Sequence, residues 1–431
     1  MTSEPSVDQL ICARYLLPIA TPPLEQGALA LAQGRVVAVG NQAELLARYP
    51  GALQTDFGEA LVLPCFVNAH THLELTDYPL WQRHIDFALQ ASPEAPPEGF
   101  TAWLLQLIRL KKTLGRDAEI YRRSWHSGLQ QAQASGTGYL GDIVTTPELL
   151  DDAARLLPGR VYVEILGQDP AAVHAQLQRL EDAIFRWPQQ HWGVAPHAPY
   201  TLSDELLRLS FRQAAARQWP CTIHVAESSD EVALLENSSG PMASQLYPFV
   251  HWQQHLSPPR HLRPLQAVEQ AGGLRPDCLL VHGVHLTTPD IHHIAEAGAI
   301  LVLCARSNAY LACGTPPVAE LVRQGVPLAL GTDSLASNSS LSLWDEIAFC
   351  HQQFGEVLTP PRLLRMATLG GAQALGLRDI GQLTPGYRAS FQVLRPQRLP
   401  PLAELGQFLC QPQRGDEVIA LYRDGQPVAL S

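Results

Sequence analysis

Lysine is almost missing from this chain of 431 residues: Lys111 and Lys112 are the only two. That scarcity argues against a Schiff-base mechanism, which needs a lysine amine at the reacting centre. Positive charge is short overall. Acidic residues outnumber Lys and Arg by 41 to 30, and the formal charge of −11 speaks against a nucleic-acid groove or an anionic membrane surface as partner. No apolar run approaches the ~20 residues of a membrane span. The segment MTSEPSVDQLICARYLL carries Glu4 and Asp8 where a signal peptide carries positive charge. The reading is a soluble cytoplasmic protein. Cys12, Cys65, Cys221, Cys278, Cys304, Cys313, Cys350 and Cys410 form no C-x-x-C pair, and several sit inside apolar runs, so buried free thiols are expected. No internal repeat or low-complexity tract stands out. Pro93 to Pro97 marks a loop.

What is present describes a globular chain with a large core: 46% hydrophobic and 16% charged residues. The length suits one large α/β domain plus a smaller module. Short apolar runs ending in polar residues recur along the middle of the chain. They are "LVLPCFVNAH" from Leu61, "TGYLGDIV" from Thr137, "RVYVEILG" from Arg160, "WGVAPHA" from Trp192, "CTIHVAE" from Cys221, "CLLVHGV" from Cys278, "AILVLCAR" from Ala299 and "VPLALGTDS" from Val326. Segments of helical periodicity separate them. Thr146 before Pro147, Ser203 before "DELLRLSFRQAAARQ", and Thr288 through Gly298 supply start and stop signals. Eight near-continuous apolar strands, each followed by a helix, predict a closed parallel (β/α)8 barrel of the TIM type. The open doubly wound sheet is the rival, but "PCFVNAHTH" holds no Gly-rich phosphate loop. Both flanks read as β: "GALALAQGRVVAVGN" around a Gln-Gly turn, "GQLTPGYRASFQVLRP", and the hairpin "VIALYRDGQPVAL" around Asp424-Gly425. The expected division is residues 1–60 and 378–431 as the two parts of a small β-sandwich, with a metal-dependent barrel over residues 61–377.

Barrel strands release chemical groups at their carboxyl ends, where this sequence places His70, His72, Asp142, His197, His224, His282 and Asp333. In an extended segment positions i and i+2 point the same way, so His70 and His72 can address one point. Imidazole is the commonest metal-ligand side chain. With 16 histidines in the chain, coincidence is the competing account. In "HVAE", His224 closes an apolar strand and Glu227 follows where the chain turns away, which suits a third nitrogen ligand and a proton-carrying carboxylate. The alternative is a satisfied histidine and a capping glutamate. Asp333 leaves the eighth run after Gly331 and Thr332; it can complete a metal shell or cap the next helix, a task Ser334 and its neighbours could take over. His282 ends the sixth run and is preferred to His285, which lies past Gly283. His197 reads as a substrate contact or a structural histidine. Three neutral nitrogens and a carboxylate meeting inside a barrel suit Zn²⁺, with Fe²⁺ the competitor, and water in the open position.

The stretches "GALALAQGRVVAVG", "LPCFVNAHTHLEL", "PHAPYTLS", "HVAE", "LLVHGVHL", "SNAYLACGTPPVAELVRQGVPLALGTDS" and "GQLTPGYRASFQVL" together resemble the amidohydrolase superfamily, in its mononuclear aminohydrolase branch. The resemblance implies one divalent metal ion held by His70, His72, His224 and Asp333. Glu227 would shuttle protons to a ring nitrogen, His282 would orient the nucleophile, and His197 would contact the heterocycle. Two departures stand out. Pro64-Cys65-Phe66 replaces the usual Pro-Gly-Phe, and "RASFQVL" lacks the aspartate common in the last β segment. Some relatives bridge two ions with a carboxylated lysine at the fourth strand; Lys111 and Lys112 lie in a helical stretch before the second, so a single ion is expected.

The implied activity is hydrolytic deamination of an aminated N-heterocycle. "HTHLEL", "FTAWLLQLIRLKKTLGRD" and "ARSNAYLACGTPPV" look similar to aminofutalosine deaminase-like enzymes, hence a 6-aminopurine nucleoside. Guanine, pterin, cytosine and triazine types, chlorohydrolases among them, remain the alternatives on the same site, and a non-catalytic binding relative is a further one. Glu74 could bond ribose hydroxyls or make a loop salt bridge. Arg306 could bind a substrate carboxylate or pair with a structural acid. The expected partner is a small molecule, with neither nucleic acid nor membrane, and a homodimer is the assembly to consider.

Overall fold

The computed structural model describes residues 6–88, 99–115 and 117–430; the loop expected at Pro93 to Pro97 lies outside them. Contacts group the chain into two compact units, residues 1–69, 130–140 and 342–431 in one and residues 70–129 and 141–341 in the other.

The chain ends share one mixed sheet of eight strands. Gln9–Leu16 pairs antiparallel with Leu24–Ala32 and parallel with Leu53–Asp56 and Leu61–Pro64. Leu61–Pro64 then pairs antiparallel with Phe391–Leu394, which joins the two ends of the chain. The expected hairpins form at Gln33-Gly34 and Asp424-Gly425. Alternation splits the apolar residues between the two faces. Ile11, Leu29, Val62, Phe391 and Val393 cluster on one side. Leu10, Cys12, Ala28 and Ala30 cluster with Leu45 on the other. Leu45 comes from the helix Gln42–Arg48, whose Ala43 amide donates to the Asn41 side chain.

Eight further strands form a nearly closed parallel barrel in chain order: Phe66–Thr71, Thr137–Val144, Gly159–Ile165, His191–Pro196, Cys221–Val225, Cys278–His282, Ile300–Leu303 and Leu328–Leu330. The run from Leu61, read above as one strand, is two. It divides at Cys65, with Leu61–Pro64 in the mixed sheet and Phe66–Thr71 in the barrel. Cys65 fits in place of the familiar glycine because Gly138 faces its sulfur; a Cβ at 138 would sit inside the Sγ contact radius. All eight cysteines are buried and free.

The first and eighth strands meet through a parallel bridge between Thr71 and Asp333 and a hydrogen bond from Asp333 N to His70 O at 3.1 Å. Gly331 permits that approach, since a Cβ there would lie 2.8 Å from His70 Cβ and 2.9 Å from Val302 Cγ1. Of the helix starts, Ser203 accepts from Leu206 N as expected. The Thr288–Ala297 helix is capped one residue earlier, by Thr287 in a box with Asp290, and ends on Gly298 at φ +65°. Thr146 gives no side-chain cap; Pro147–Leu149 forms a 3₁₀ turn before the helix Leu150–Leu156. No helix among the described residues is long and apolar enough to cross a membrane.

Candidate active site

The carboxyl ends of the barrel strands bring together His70, His72, His224, Glu227, His282 and Asp333, all buried. One ring nitrogen from each of His70, His72 and His224 lies within 4.8 Å of the others, and the second trio, Glu227, His282 and Asp333, is equally tight. His72 Nε2 and His224 Nε2 are 3.3 Å apart, and Asp333 Oδ1 lies 3.8 Å from both His70 Nε2 and His72 Nε2. Donors about 2.0–2.2 Å from a tetrahedral ion stand roughly 3.3–3.6 Å apart; the His72–His224 pair has that spacing and Asp333 lies slightly beyond it. Burial, with the neighbouring imidazoles, pushes His70 well below its usual pKa. Burial also takes His72 to about 3 and His224 to about 4. The rings are therefore neutral at neutral pH, each with a lone pair to offer. For His224 the lone pair is at Nε2, because Nδ1 donates to the His197 carbonyl at 2.8 Å. The donor chemistry fits a divalent cation.

The backbone aims these groups. Ala226, His282 and Asp333 have φ of +53°, +73° and +58°, a region costly for residues other than glycine and concentrated at functional sites. Asp333 turns Oδ1 toward the histidines and keeps Oδ2 for two hydroxyls, Ser307 Oγ at 2.7 Å and Ser337 Oγ at 2.8 Å. Ser334 accepts from Ala336 N, so Asp333 is spared capping duty.

Glu227 faces the trio from the other side, with Oε1 3.4 Å from His282 Nε2. Burial first, then the Asp333 and Glu231 carboxylates, hold it well above the usual glutamate range, the direction a proton donor needs. Its amide donates to Glu231 Oε2 at 2.9 Å. His282 Nδ1 bonds Asn308 Oδ1 at 2.8 Å. His285, the rejected candidate, is directed to the Cys313 carbonyl.

These groups open into a cavity of about 300 Å³ whose apolar walls include Leu75, Phe100, Trp103, Leu104 and Ile108, with His197, Lys111 and Glu164 among its polar lining. Two expected substrate contacts lie elsewhere. Glu74 is buried, and its carboxylate is engaged by Lys111 Nζ at 3.2 Å and by the amides of Thr145 and Thr146. It takes the salt-bridge alternative and does not line the cavity. Arg306 donates to Ser339 Oγ at 2.6 Å and also stays outside the lining.

The lysines lie in a helix before the second strand, as expected, yet Lys111 is not remote from the fourth. The helix Phe100–Leu114 carries Lys111 into the same cavity as His197, which follows the fourth strand. Burial would lower its pKa, but the Glu74 and Glu164 carboxylates more than offset that and hold it raised. A protonated ammonium neither attacks a carbonyl nor takes up a carbamate. Sequence reasoning also missed the role of Asp142. Its Oδ1 accepts from Thr71 Oγ1 at 3.0 Å and Leu73 N at 2.9 Å, and its Oδ2 from Trp125 Nε1 at 2.8 Å. It clamps both neighbours of His72. Asp142, Ser307, Ser337 and Asn308 are ordinary polar residues, and only their three-dimensional neighbours reveal their work.

Residues 61–426 match the profile of the amidohydrolase family. The chain belongs to the amidohydrolase family. A short segment, residues 27–52, also matches the bacterial imidazolonepropionase-like composite domain. Among curated relatives of this amidohydrolase, the aminodeoxyfutalosine deaminase of Deinococcus radiodurans is 32% identical over 355 residues, 80% of each chain. A 5-methylthioadenosine/S-adenosylhomocysteine deaminase of Nitratidesulfovibrio vulgaris is 29% identical over 94% of this chain and 89% of its own. The crystal structure of an adenosine deaminase from Xanthomonas campestris with bound zinc superposes with a TM-score of 0.78 at 26% identity, covering 98% of this chain and 92% of that one. Helicobacter pylori aminofutalosine deaminase shares the fold, with a TM-score of 0.79 at 22% identity over 98% of this chain and all of its own.

Proposed function

We propose that this amidohydrolase is a zinc-dependent aminohydrolase that replaces the amino group of a 6-aminopurine nucleoside by hydrolysis. The observation that carries the reading is the convergence of His70, His72, His224 and Asp333 with Glu227 and His282 in an apolar-walled cavity. The deaminase relatives support the substrate class. Zinc follows from three neutral imidazoles and one carboxylate. When bound, the ion supplies the Lewis acidity that lets water act as a nucleophile near neutral pH.

The chain's residues divide the remaining work. Asp333, its other oxygen held by Ser307 and Ser337, takes a proton from the attacking water. Glu227 gives its proton to the ring nitrogen beside the amino-bearing carbon, which makes that carbon electrophilic. His282, fixed by Asn308, orients the incoming oxygen. His197 contacts the heterocycle from the cavity wall. Asp333 passes its proton to the amino group, which departs as ammonia, and the hydroxyl proton of the adduct returns to Glu227 as the carbonyl forms.

The test is ammonia release by metal-replete protein from a panel of aminated purines, pyrimidines, pterins and triazines. Fastest turnover is expected on 6-aminopurine nucleosides, with loss on chelation and return on zinc addition. Protein holding stoichiometric metal that turns over a chlorotriazine but no aminopurine would overturn the proposal.

A further inference from the structure

Glu164 is the next-to-last residue of the third barrel strand, Gly159–Ile165, with 8% of its surface exposed. Its side chain lines the same cavity as His197, His224 and Glu227. One carboxylate oxygen, Oε2, accepts from Thr145 Oγ1 at 2.8 Å. Among the described residues no donor reaches Oε1. Lys111, which shares the lining, has its ammonium at Glu74, 3.2 Å away. Two carboxyl groups around one ammonium leave this end of the cavity with an acceptor to spare. Glu164, Thr145 and Leu166 also line a second cavity of about 210 Å³, so Glu164 stands where two spaces adjoin. Oε1 is not sealed from the cavity, so a donor that enters can reach it without rearrangement. No role in the deamination proposed above uses it.

We infer that Glu164 is a specificity-determining residue, accepting at Oε1 a hydrogen bond from a sugar hydroxyl of the nucleoside. This rests on the deaminase reading and deepens it. The acceptor belongs to Glu164 and not to Glu74, whose oxygens are already taken by Lys111 and two backbone amides. A site built to bond a hydroxyl rejects the analogue that lacks it, because the buried acceptor is then left bare. A neutral sugar hydroxyl is also the donor most compatible with the apolar walls.

The test compares kcat/KM of metal-replete wild-type and Glu164→Gln protein on adenosine and its 2′-deoxy, 3′-deoxy and 5′-deoxy analogues. In the wild type, removal of one particular hydroxyl is expected to lower kcat/KM about 10- to 100-fold, the range for a hydrogen bond to a charged group. In Glu164→Gln that gap should shrink to within about threefold, while the other two deletions cost both proteins the same. Equal factors for all three deletions in both proteins would mean that Glu164 only holds Thr145 and Lys111 in place, and would overturn the inference. So would a wild type that treats all four nucleosides alike, a result that needs no folded variant. Wild-type protein that releases ammonia from none of them removes the deaminase reading itself, and this inference with it.

Discussion

Replacing Asp142 should weaken metal binding although Asp142 touches none of the four candidate ligands. It is fully buried and receives three hydrogen bonds, two of them from the residues flanking His72. In Asp142→Ala, Thr71 Oγ1 keeps a second acceptor, the Gly141 carbonyl at 3.2 Å. Leu73 N and Trp125 Nε1 lose theirs. Two orphaned buried donors cost roughly 2–6 kcal/mol of stability at about 1–3 kcal/mol each. Asp142→Asn is milder. Whichever way the amide turns, its NH2 faces either Trp125 Nε1 or Leu73 N, so one buried donor is orphaned while Thr71 keeps the Gly141 carbonyl, about 1–3 kcal/mol. Metal affinity should fall about 10- to 100-fold, the usual effect of removing a group that holds a ligand in position. The assay is zinc competition with a chromophoric chelator, run beside urea denaturation of the metal-free protein. A variant that is destabilised as stated but binds zinc as tightly as wild type would refute the clamp, leaving Asp142 a purely structural residue.

Three further outcomes follow from the same geometry. Glu227→Gln keeps shape but cannot cycle a proton; kcat should drop about 10²- to 10⁴-fold while zinc content by atomic emission stays at wild-type level, and loss of the metal instead would make Glu227 a ligand. Gly331→Ala would push a methyl against His70 Cβ and Val302 Cγ1, costing about 1–3 kcal/mol in denaturation and weakening zinc binding; an unchanged unfolding midpoint would show that the strands can part there. Burial raises Glu231 to about 8, so the folded state keeps a proton that the unfolded state gives up above its ordinary value of 4.5. Stability therefore falls as pH rises from about 4.5 to 8. Glu231→Gln should flatten that slope in denaturation midpoints measured across the window, and an unchanged slope would assign it to another group.

The barrel was readable because its strands are buried on both faces and so appear as unbroken apolar runs; a polar residue at the end of such a run has little reason to be there unless it acts. That logic singles out His70, His72, His224, His282 and Asp333, which the barrel brings together. It failed where two strands abut without a turn. Leu61 to Thr71 is apolar up to the histidines, and only the partner of Leu61–Pro64, some 330 residues on at Phe391–Leu394, separates the strand of one sheet from the strand of the other. It failed again for Lys111. A helix set between the first and second strands gives no hint in its own periodicity of which residue will reach over the barrel mouth.

The residues that aim these candidate ligands stayed invisible for a deeper reason. A ligand must be a histidine or a carboxylate, and the end of a strand marks it. A residue that orients a ligand need only offer one hydrogen bond of the right sense, which Ser, Thr, Asn, Asp or a backbone carbonyl can do equally well. Ser307 serves Asp333 from 26 residues away, Asn308 serves His282 across the same interval, and the carbonyl of His197 fixes the ring of His224. Their chemistry is common and their positions are set by how neighbouring strands stack in register. Specificity for an ion can thus be read from a handful of side chains, whereas the alignment that makes those side chains effective depends on the completed barrel. The account therefore stands or falls at residues like Asp142: if the histidines hold zinc equally well without it, the ligand set is self-sufficient and the surrounding hydrogen bonds serve the fold alone.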